Sequence, residues 1–434
     1  MKYATPLGFA LLCVLAQPLF AADSLIHAGH MIDVRNRQLR DRVTIVVHAN
    51  QIERVVDGYL PASGDDKVID LQSYTVLPGL VDCHKHLTMH AMSPNLYEDL
   101  VTDTAADAAI YGVINAKTTL LDGFTSVRDV GATENADLAL KRALEKELIP
   151  GPRMWISGSP LGPTGGHSDD SNGLSRGFSN PAWKDSVIDS ADEARLAVRL
   201  HHKYGDDLIK IMPSGGVGSV NDNPALQLMT NDEITATIDA AHALGMKVAA
   251  HAHGKLAIDH AVLAGVDSIE HGTYADAESM ALMKQHGTYL VPTVYVSRML
   301  FEIARDHPER LPPNIVAKIQ LVGPATANMF HLALAGGVKI AFGTDTFGEF
   351  RTGTAAKELT EMVRLGMAPM DAIVSATITA SDLIGASGKI GEIAPGSYAD
   401  LIAVKGNPLE SIQELEHVQF VMKSGIVYRD TDTH

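Results

Sequence analysis

Two histidines at the end of an apolar run are the first residues whose spacing suits chemistry. The run Val76–His86 closes with His84 and His86, separated by one lysine. In an extended strand, side chains two residues apart leave the same face, so Cys83 and Lys85 point the other way. One such pair is weak evidence, because a structural or surface role explains it equally well.

Three further polar residues stand at comparable places. His251 and His271 end two other apolar runs, 20 residues apart, which is the length of one strand–helix repeat. Asp345 follows the apolar run 338–342. If the ends of these runs lie together in the fold, the imidazoles and the carboxylate match the ligands of zinc or a similar metal. The alternative is that these polar residues are unrelated. It is the weaker interpretation, because five of them occupy such positions.

Lys210 is the next candidate, because it interrupts the apolar stretch Leu208–Met212. A buried ammonium without a partner is costly, and burial lowers its pKa. One interpretation is a salt bridge to a carboxylate elsewhere in the chain. The other is that the neutral amine reacts with carbon dioxide, because the resulting carbamate has two oxygens that could bridge two metal ions.

The middle of the chain alternates strand and helix, as these residues require if they are to meet. Helices are predicted over Asn231–Leu244, where Thr230 and Glu233 form a capping box, and over Lys255–Ala264 and Ala277–His286, each followed by glycine. Eight strand-like runs end near His84, Asp129, Ser157, Met212, His251, His271, Thr293 and Asp345. This pattern predicts an α/β fold, a (β/α)8 TIM barrel with its active site at the strands' carboxyl ends.

Short β-like runs with turn residues occupy both ends of the chain. They predict a small discontinuous β-sandwich domain, built from residues 22–76 and 388–434, around a barrel of residues 77–387.

The first 21 residues have the build of a secretory signal peptide. Lys2 precedes a short apolar run, and small residues follow at Ala21 and Ala22. The run is too short for a membrane anchor. We therefore expect cleavage after Ala21 and export to the periplasm or the medium. Cys83 would then be the only remaining cysteine, which excludes an internal disulfide.

Composition excludes other classes. The chain is 46% hydrophobic and 20% charged, which is ordinary for a globular protein. Its formal charge of −17 argues against nucleic acid as a partner. Removal of Lys2 with the signal would leave 34 basic against 52 acidic residues, a charge of −18.

Two more histidines are candidates for substrate binding. His253 lies two residues beyond His251 and so faces the same way, towards a bound carbonyl or a metal ligand. His167 lies on a long glycine-rich loop, residues 158–182, where ordinary loop polarity is an equal alternative. Glycines in Ser214–Gly218 lack the lysine and helix start of a phosphate cradle and predict a flexible substrate loop. We expect surface positions for most other histidines, among them His201, His202 and His417.

The set His84, His86, Lys210, His251, His271 and Asp345 resembles the amidohydrolase superfamily in its binuclear form with a carbamylated lysine. The segments Val76–Asp82 and Gly396–Leu401 are also typical of it. Ile209–Gly216 and His251–Gly254 resemble the imidazolonepropionase-like branch, which contains Xaa-Pro dipeptidases and ochratoxin-hydrolysing amidases. Leu161–His167 is most similar to the latter.

The resemblance implies two divalent metal ions, with Zn²⁺ as the expected metal, each bound by its own set of residues. His84, His86 and Asp345 would bind one ion, His251 and His271 the other, and carbamylated Lys210 would join them. The ions lower the pKa of a shared water and polarise the amide carbonyl, while Asp345 carries the proton to the departing nitrogen.

Three functions follow as expectations. The first is hydrolysis of an amide or peptide bond in an N-acyl amino acid or a dipeptide, with an ochratoxin-type amide as one example. A cyclic-amide hydrolase, acting on an imidazolone or a lactam, is the alternative enzyme. A periplasmic binding protein that has lost catalysis is the alternative from another class. The branch also implies a small-molecule substrate, no membrane partner after signal cleavage, and a homo-oligomer.

Overall fold

The structure is a computed structural model that describes residues 23–89, 101–132, 134–177, 186–347 and 354–431. The expected signal peptide falls outside these ranges and stays a prediction, as do the exact domain boundaries. Within the described ranges, no helix combines the length and the hydropathy needed to cross a bilayer.

Both ends of the chain contribute to one seven-stranded sheet, with the order β15-β14-β13-β4-β1-β2-β3. Its strands are β1 Ser24–Asp33, β2 Gln38–His48, β3 Gln51–Asp57, β4 Lys67–Pro78, β13 Leu401–Val404, β14 Phe420–Lys423 and β15 Ile426–Asp430. The discontinuous arrangement agrees with the pattern of short β-like runs at both ends of the sequence.

Strand β4 joins the two ends of the chain. It pairs in parallel with β1 and in antiparallel with β13, so no break separates the N-terminal strands from the C-terminal ones. Ile26, Ile45, Leu401 and Phe420 belong to one buried apolar cluster of this sheet. The strands therefore form one continuous hydrogen-bonded sheet, and a bridge between Gln51 and Tyr398 brings its β3 edge back to the segment before β13.

The middle of the chain forms two four-stranded sheets, ordered β12-β5-β6-β7 and β11-β10-β9-β8, in which every strand pair is parallel. Their strands are β5 Leu80–His86, β6 Phe124–Asp129, β7 Arg153–Ile156, β8 Leu208–Ile211, β9 Lys247–Ala252, β10 Ser268–His271, β11 Tyr289–Val291 and β12 Thr346–Phe347. Parallel pairing brings the carboxyl ends of each sheet to one edge.

The predicted eighth strand, 338–342, is not a regular strand. It makes one isolated bridge, between Ile340 and Leu290 of β11. The physical reason is that its hydrogen bonds are divided: Phe342 O accepts from Cys83 N at 2.9 Å, and Phe342 N donates to Ser375 O at 3.0 Å. A single bridge also links Leu161 to β8. A continuous eight-stranded ladder is not detected among the described residues.

Helices separate the parallel strands. The α-helices are α1 Ala105–Leu121, α2 Ala136–Glu145, α3 Ala191–Tyr204, α4 Asn231–Ala243, α5 Lys255–Leu263, α6 Ala277–His286, α7 Val294–Asp306, α8 Pro313–Gly336, α9 Lys357–Arg364, α10 Pro369–Val374 and α11 Ala380–Leu383. The predicted capping box is present at the start of α4, where Thr230 accepts from Glu233 N and the Glu233 side chain accepts from Thr230 N. The three predicted helices end within one residue of the expected position.

A partly buried ion pair fastens the terminal sheet to strand β7. Arg153 reaches from β7 to the carboxylate of Asp400, which is 2% exposed and also accepts from Ser424 N at 2.8 Å. The backbone continues this contact, because Gly79 N donates to Asp400 O at 2.9 Å immediately before β5 begins. The seven-stranded sheet is thus joined to β7 and to the residue that precedes β5.

Candidate metal centre

The predicted ligands stand at the carboxyl ends of the parallel strands. His84 and His86 end β5, while Lys210, His251 and His271 lie at the ends of β8, β9 and β10. Asp345 follows the irregular segment 338–342.

Two of these residues have backbones in the left-handed region, with φ 69° at His271 and 52° at Asp345. Such conformations are uncommon outside glycine and concentrate at functional sites.

The first cluster contains His84, His86 and Asp345. Asp345 Oδ1 lies 3.4 Å from His84 Nε2 and 3.3 Å from His86 Nε2. Ligands about 2.0–2.2 Å from a tetrahedral zinc ion lie roughly 3.3–3.5 Å from one another. The separations therefore suit ligands of one ion. A ligand atom of His271 also comes within 4.8 Å of those of His84 and Asp345.

The second cluster contains three imidazoles, from His251, His253 and His271, whose ligand atoms lie within 4.8 Å of one another. The His251 ring centroid is 4.7 Å from that of His253 and 4.6 Å from that of His271. His251 Nε2 is buried and has no hydrogen-bond partner among the described residues. Buried polar atoms are rarely left unpaired, and a metal ion would satisfy this one. The donor set therefore fits a bound metal.

A polar group holds the other ring nitrogen of three predicted ligands. His84 Nδ1 lies 2.8 Å from Glu270 Oε2, His86 Nδ1 lies 3.1 Å from Gly131 O, and His271 Nδ1 lies 2.8 Å from Thr293 Oγ1. This is the usual arrangement for metal-binding histidines, because the partner fixes the orientation of the ring and leaves Nε2 for the metal.

Burial keeps most of these imidazoles uncharged. It lowers the pKa of His84 to about 4 and that of His253 to about 3, and it lowers the pKa values of His251 and His271 well below the usual range. Burial alone would raise the pKa of Asp345, but the neighbouring histidines outweigh it and hold that pKa below its usual range. A neutral imidazole and an ionised carboxylate are the forms that bind metal.

Asp345 is positioned by the strand that carries the histidines. Its backbone N–H donates to His84 O at 2.8 Å. The buried carboxylate of Asp82 accepts from Thr344 N at 3.0 Å, from Thr344 Oγ1 at 2.6 Å and from His84 N at 3.1 Å. One aspartate therefore links the backbones on both sides of the first cluster.

Lys210 is 1% exposed, and burial lowers its pKa to about 8. No described carboxylate forms an ion pair with Nζ, although Glu270 and Asp345 are near enough to influence its charge. The salt-bridge interpretation thus lacks a partner among the described residues. A deprotonated amine is available at a pH near this pKa, which is the form that reacts with carbon dioxide.

The structure also brings His167 to this rim. Its ring centroid lies 4.5 Å from that of His251, and Nδ1 lies 2.7 Å from Ser219 Oγ. Asp222 accepts from the same hydroxyl at 2.7 Å, and Lys318 donates to that carboxylate.

Two glycines of Ser214–Gly218 lie in close contact with other segments, and the flexibility expected of this loop stays a prediction. A Cβ at Gly216 would collide with the His167 ring, and one at Gly215 would lie 2.5 Å from the carbonyl carbon of Asn223. Glycine is needed there for close approach.

Some contributing residues escaped the sequence analysis. Glu270 directly precedes His271. Arg128 lies 142 residues before Glu270 in the chain, so only the fold shows that these two side chains meet at 2.7 Å. Thr293 had been noted only as a strand end. The prediction for His201 was wrong: the side chain is buried, because its Nδ1 lies 2.8 Å from Ser157 O and 2.9 Å from Asp206 Oδ2.

Comparison with known proteins identifies the chain. The model of the amidohydrolase family matches residues 75–427, which include both clusters. The chain belongs to the amidohydrolase family. This confirms the resemblance found from the ligand motifs, and members of the family are typically metal-dependent.

Individual relatives define the branch. Ochratoxinase of Aspergillus niger is 35% identical over 443 aligned positions, covering 96% of this chain and 88% of that one. A solved Xaa-Pro dipeptidase with bound methionine is 38% identical, with a TM-score of 0.89 and coverage of 94% and 100%. The A. niger ochratoxinase structure aligns with a TM-score of 0.80 and 29% identity over 94% of this chain and 96% of that one.

These relatives establish the fold and the class of reaction. This amidohydrolase has a TIM-barrel-type α/β fold with a separate sheet domain. It is a hydrolase that acts on amide bonds of small-molecule substrates. The predicted dipeptidase-like branch is confirmed, and the non-catalytic binding protein is excluded.

Replacement of Gly343 by alanine is expected to displace the first cluster. The new Cβ would lie 2.8 Å from His84 Cβ and 3.0 Å from His84 N, and it would also collide with Val291. A shift of about 1 Å at a reacting group can cost about 100-fold in rate. We expect a comparable fall in kcat/KM for amide hydrolysis. Gly177→Ala is the matched control, because nothing lies within 4 Å of a Cβ there; equal activity in both variants would contradict the prediction.

Proposed function

We propose that this amidohydrolase is a binuclear metal enzyme. His84, His86 and Asp345 would hold one ion, and His251 and His271 would hold the other, with zinc as the metal best suited to these donors. The observation that carries the proposal is the pair of donor clusters meeting at His271, with the unpartnered Nε2 of His251 between buried rings.

Lys210 would complete the site as a carbamate. Its neutral Nζ attacks the carbon of carbon dioxide, an N–C bond forms, and the displaced N–H proton leaves to water. The product is an anion with two oxygens. The buried position of Nζ, the absence of an ion pair to a described residue and the lowered pKa support this assignment.

Asp345 is suited to proton transfer. When bound, the metal ions would acidify water and polarise the substrate carbonyl. Oδ1 of Asp345 faces the Nε2 atoms of His84 and His86, whereas Oδ2 has no hydrogen bond to a described residue. Oδ2 can therefore accept the proton of the attacking water and deliver it to the nitrogen of the breaking amide bond.

We propose N-acyl amino acids or dipeptides as substrates, with ochratoxin A as one candidate. The names of the ochratoxinase and Xaa-Pro dipeptidase relatives support this class. His167 and His253 would contact the substrate, since both rings lie beside His251.

Metal removal is the direct test of the proposed function. Chelation, or His84→Ala, should lower amide hydrolysis by about 1000-fold or more, because bound metal contributes several kcal/mol to the transition state. The assay is amine release from a panel of N-acyl amino acids, dipeptides, ochratoxin A and cyclic amides, with metal content measured in parallel. His417→Ala, at an exposed histidine, is the control. Full activity in metal-free protein would refute metal dependence, and turnover of cyclic amides alone would refute the substrate class.

Carbamylation of Lys210 can be observed without an activity assay. Protein equilibrated with ¹³C-bicarbonate should give a carbamate carbonyl resonance that disappears in Lys210→Met. Lys423→Met is the matched control, because burial also lowers the pKa of Lys423 to about 8 while its Nζ donates to Gly151 O at 2.6 Å. A resonance that persists in Lys210→Met would contradict the assignment.

Substrate contact by His253 predicts a change in KM. His253→Ala should raise KM about tenfold, the equivalent of one hydrogen bond of about 1.4 kcal/mol, with metal content unchanged. Thr273→Ala removes the partner that lies 2.7 Å from His253 Nδ1 and should give a smaller change in the same direction. Loss of metal from the His253 variant would instead make it a ligand.

A further inference from the structure

A buried ion pair lies beneath the candidate metal centre. Glu270 of β10 is 0% exposed, Arg128 of β6 is 2% exposed, and Arg128 Nη2 donates to Glu270 Oε1 at 2.7 Å. The two strands belong to different four-stranded sheets. Replacement of a buried ion pair by apolar residues of similar volume is often neutral or stabilising. Stability alone therefore does not account for two charges at this position.

The pair contacts the side chain of His84 and the peptide bond that precedes this residue. Glu270 Oε2 lies 2.8 Å from His84 Nδ1. Arg128 Nε donates at 2.5 Å to Cys83 O, the carbonyl of the peptide bond that leads into His84. Glu270 thus contacts the ring of one predicted ligand, while Arg128 contacts the carbonyl oxygen of the residue before it.

Ser268 fixes which atoms carry hydrogen. Arg128 Nη1 lies 2.9 Å from Ser268 Oγ, and Ser268 Oγ lies 2.5 Å from Glu270 Oε1. Arginine can only donate, so the hydroxyl accepts from Arg128 and has its own hydrogen left for Glu270. Glu270 Oε1 then receives two donors, which leaves Oε2 as the acceptor for His84.

The consequence for His84 is a single tautomer. With Nδ1–H donating to Glu270, the lone pair of the neutral ring lies on Nε2, the atom 3.4 Å from Asp345 Oδ1. The opposite tautomer would present N–H to the metal and leave Glu270 Oε2 without its donor.

We propose that Glu270 is a positioning residue that fixes the tautomer and direction of His84, and that Arg128 and Ser268 hold Glu270 in its accepting role. The inference rests on the proposed metal-dependent function. It extends that function to residues that touch neither substrate nor metal. The buried pair of Glu270 and Arg128 would control the affinity for the metal.

The test is metal affinity of the full chain. Zn²⁺ and Co²⁺ are titrated into metal-free wild type and Glu270→Gln against a chromophoric chelator, and Co²⁺ absorption spectra are recorded. Loss of a hydrogen-bonding partner behind a ligand typically weakens metal binding about 10–100-fold. We expect that range for Glu270→Gln, with an altered Co²⁺ spectrum and an unchanged far-ultraviolet circular dichroism spectrum.

A second variant separates positioning from stability. Arg128→Met combined with Glu270→Met removes both charges and retains apolar volume, so thermal stability should be equal or higher while metal affinity falls about tenfold or more. Asp400→Asn is the matched control, because it disrupts another arginine–carboxylate pair, Arg153–Asp400, at the junction with the terminal sheet. It should lower Tm without a change in metal affinity.

The outcomes are distinguishable. Metal affinity within twofold of wild type in both Glu270 variants would overturn the inference while the proposed function stands. A wild-type chain that binds no Zn²⁺ or Co²⁺ would overturn the proposed function, and the inference with it. Equal loss of affinity in Asp400→Asn would also overturn the inference, because general destabilisation would then explain the result.

Discussion

The active centre depends on holding several imidazoles side by side without charge. His84, His251, His253 and His271 are all buried, and their rings pack at centroid distances near 5 Å. Desolvation makes the imidazolium form costly, and each neighbour that becomes charged increases that cost. The pocket therefore favours neutral rings with lone pairs available at neutral pH. Asp345 and His86 differ, because their hydrogen bond and mutual attraction oppose desolvation, lowering the pKa of the carboxyl and raising that of the imidazole.

Orientation is the second requirement, and it is met from outside the pocket. A carboxylate, a backbone carbonyl and a hydroxyl hold the Nδ1 atoms of His84, His86 and His271. The left-handed backbones of His271 and Asp345 are local strain that regular strands avoid, and the surrounding hydrogen bonds compensate for it. Packing and polar contacts thus act together to keep the donors converged.

The convergence of these side chains could be predicted because parallel strands end at one rim, so position along the chain converts directly into position in space. The helices were equally accessible, since capping at Thr230 and glycine stops are local signals. Contacts between distant segments could not be predicted from local signals. Arg128 and Glu270 meet only through the fold, and the segment 338–342 looks like a strand by hydropathy although its hydrogen bonds go to three different elements. The surface position predicted for His201 was wrong for the same reason, because its burial depends on Ser157 and Asp206.

The pairing of β4 with β13 has a consequence for how the chain folds. Residues 75–78 pair with residues 401–404, more than 300 positions later in the chain. During synthesis this edge of β4 stays unpaired until β13 has been made, and an unpaired edge can pair with the wrong strand. Since β5 follows β4 after a single residue, the segment bearing His84 acquires its final anchor only when the last strands arrive. Pairing of the terminal strands and placement of His84 are therefore coupled, because the strand that bears this histidine is joined to an edge that the C-terminal strands complete.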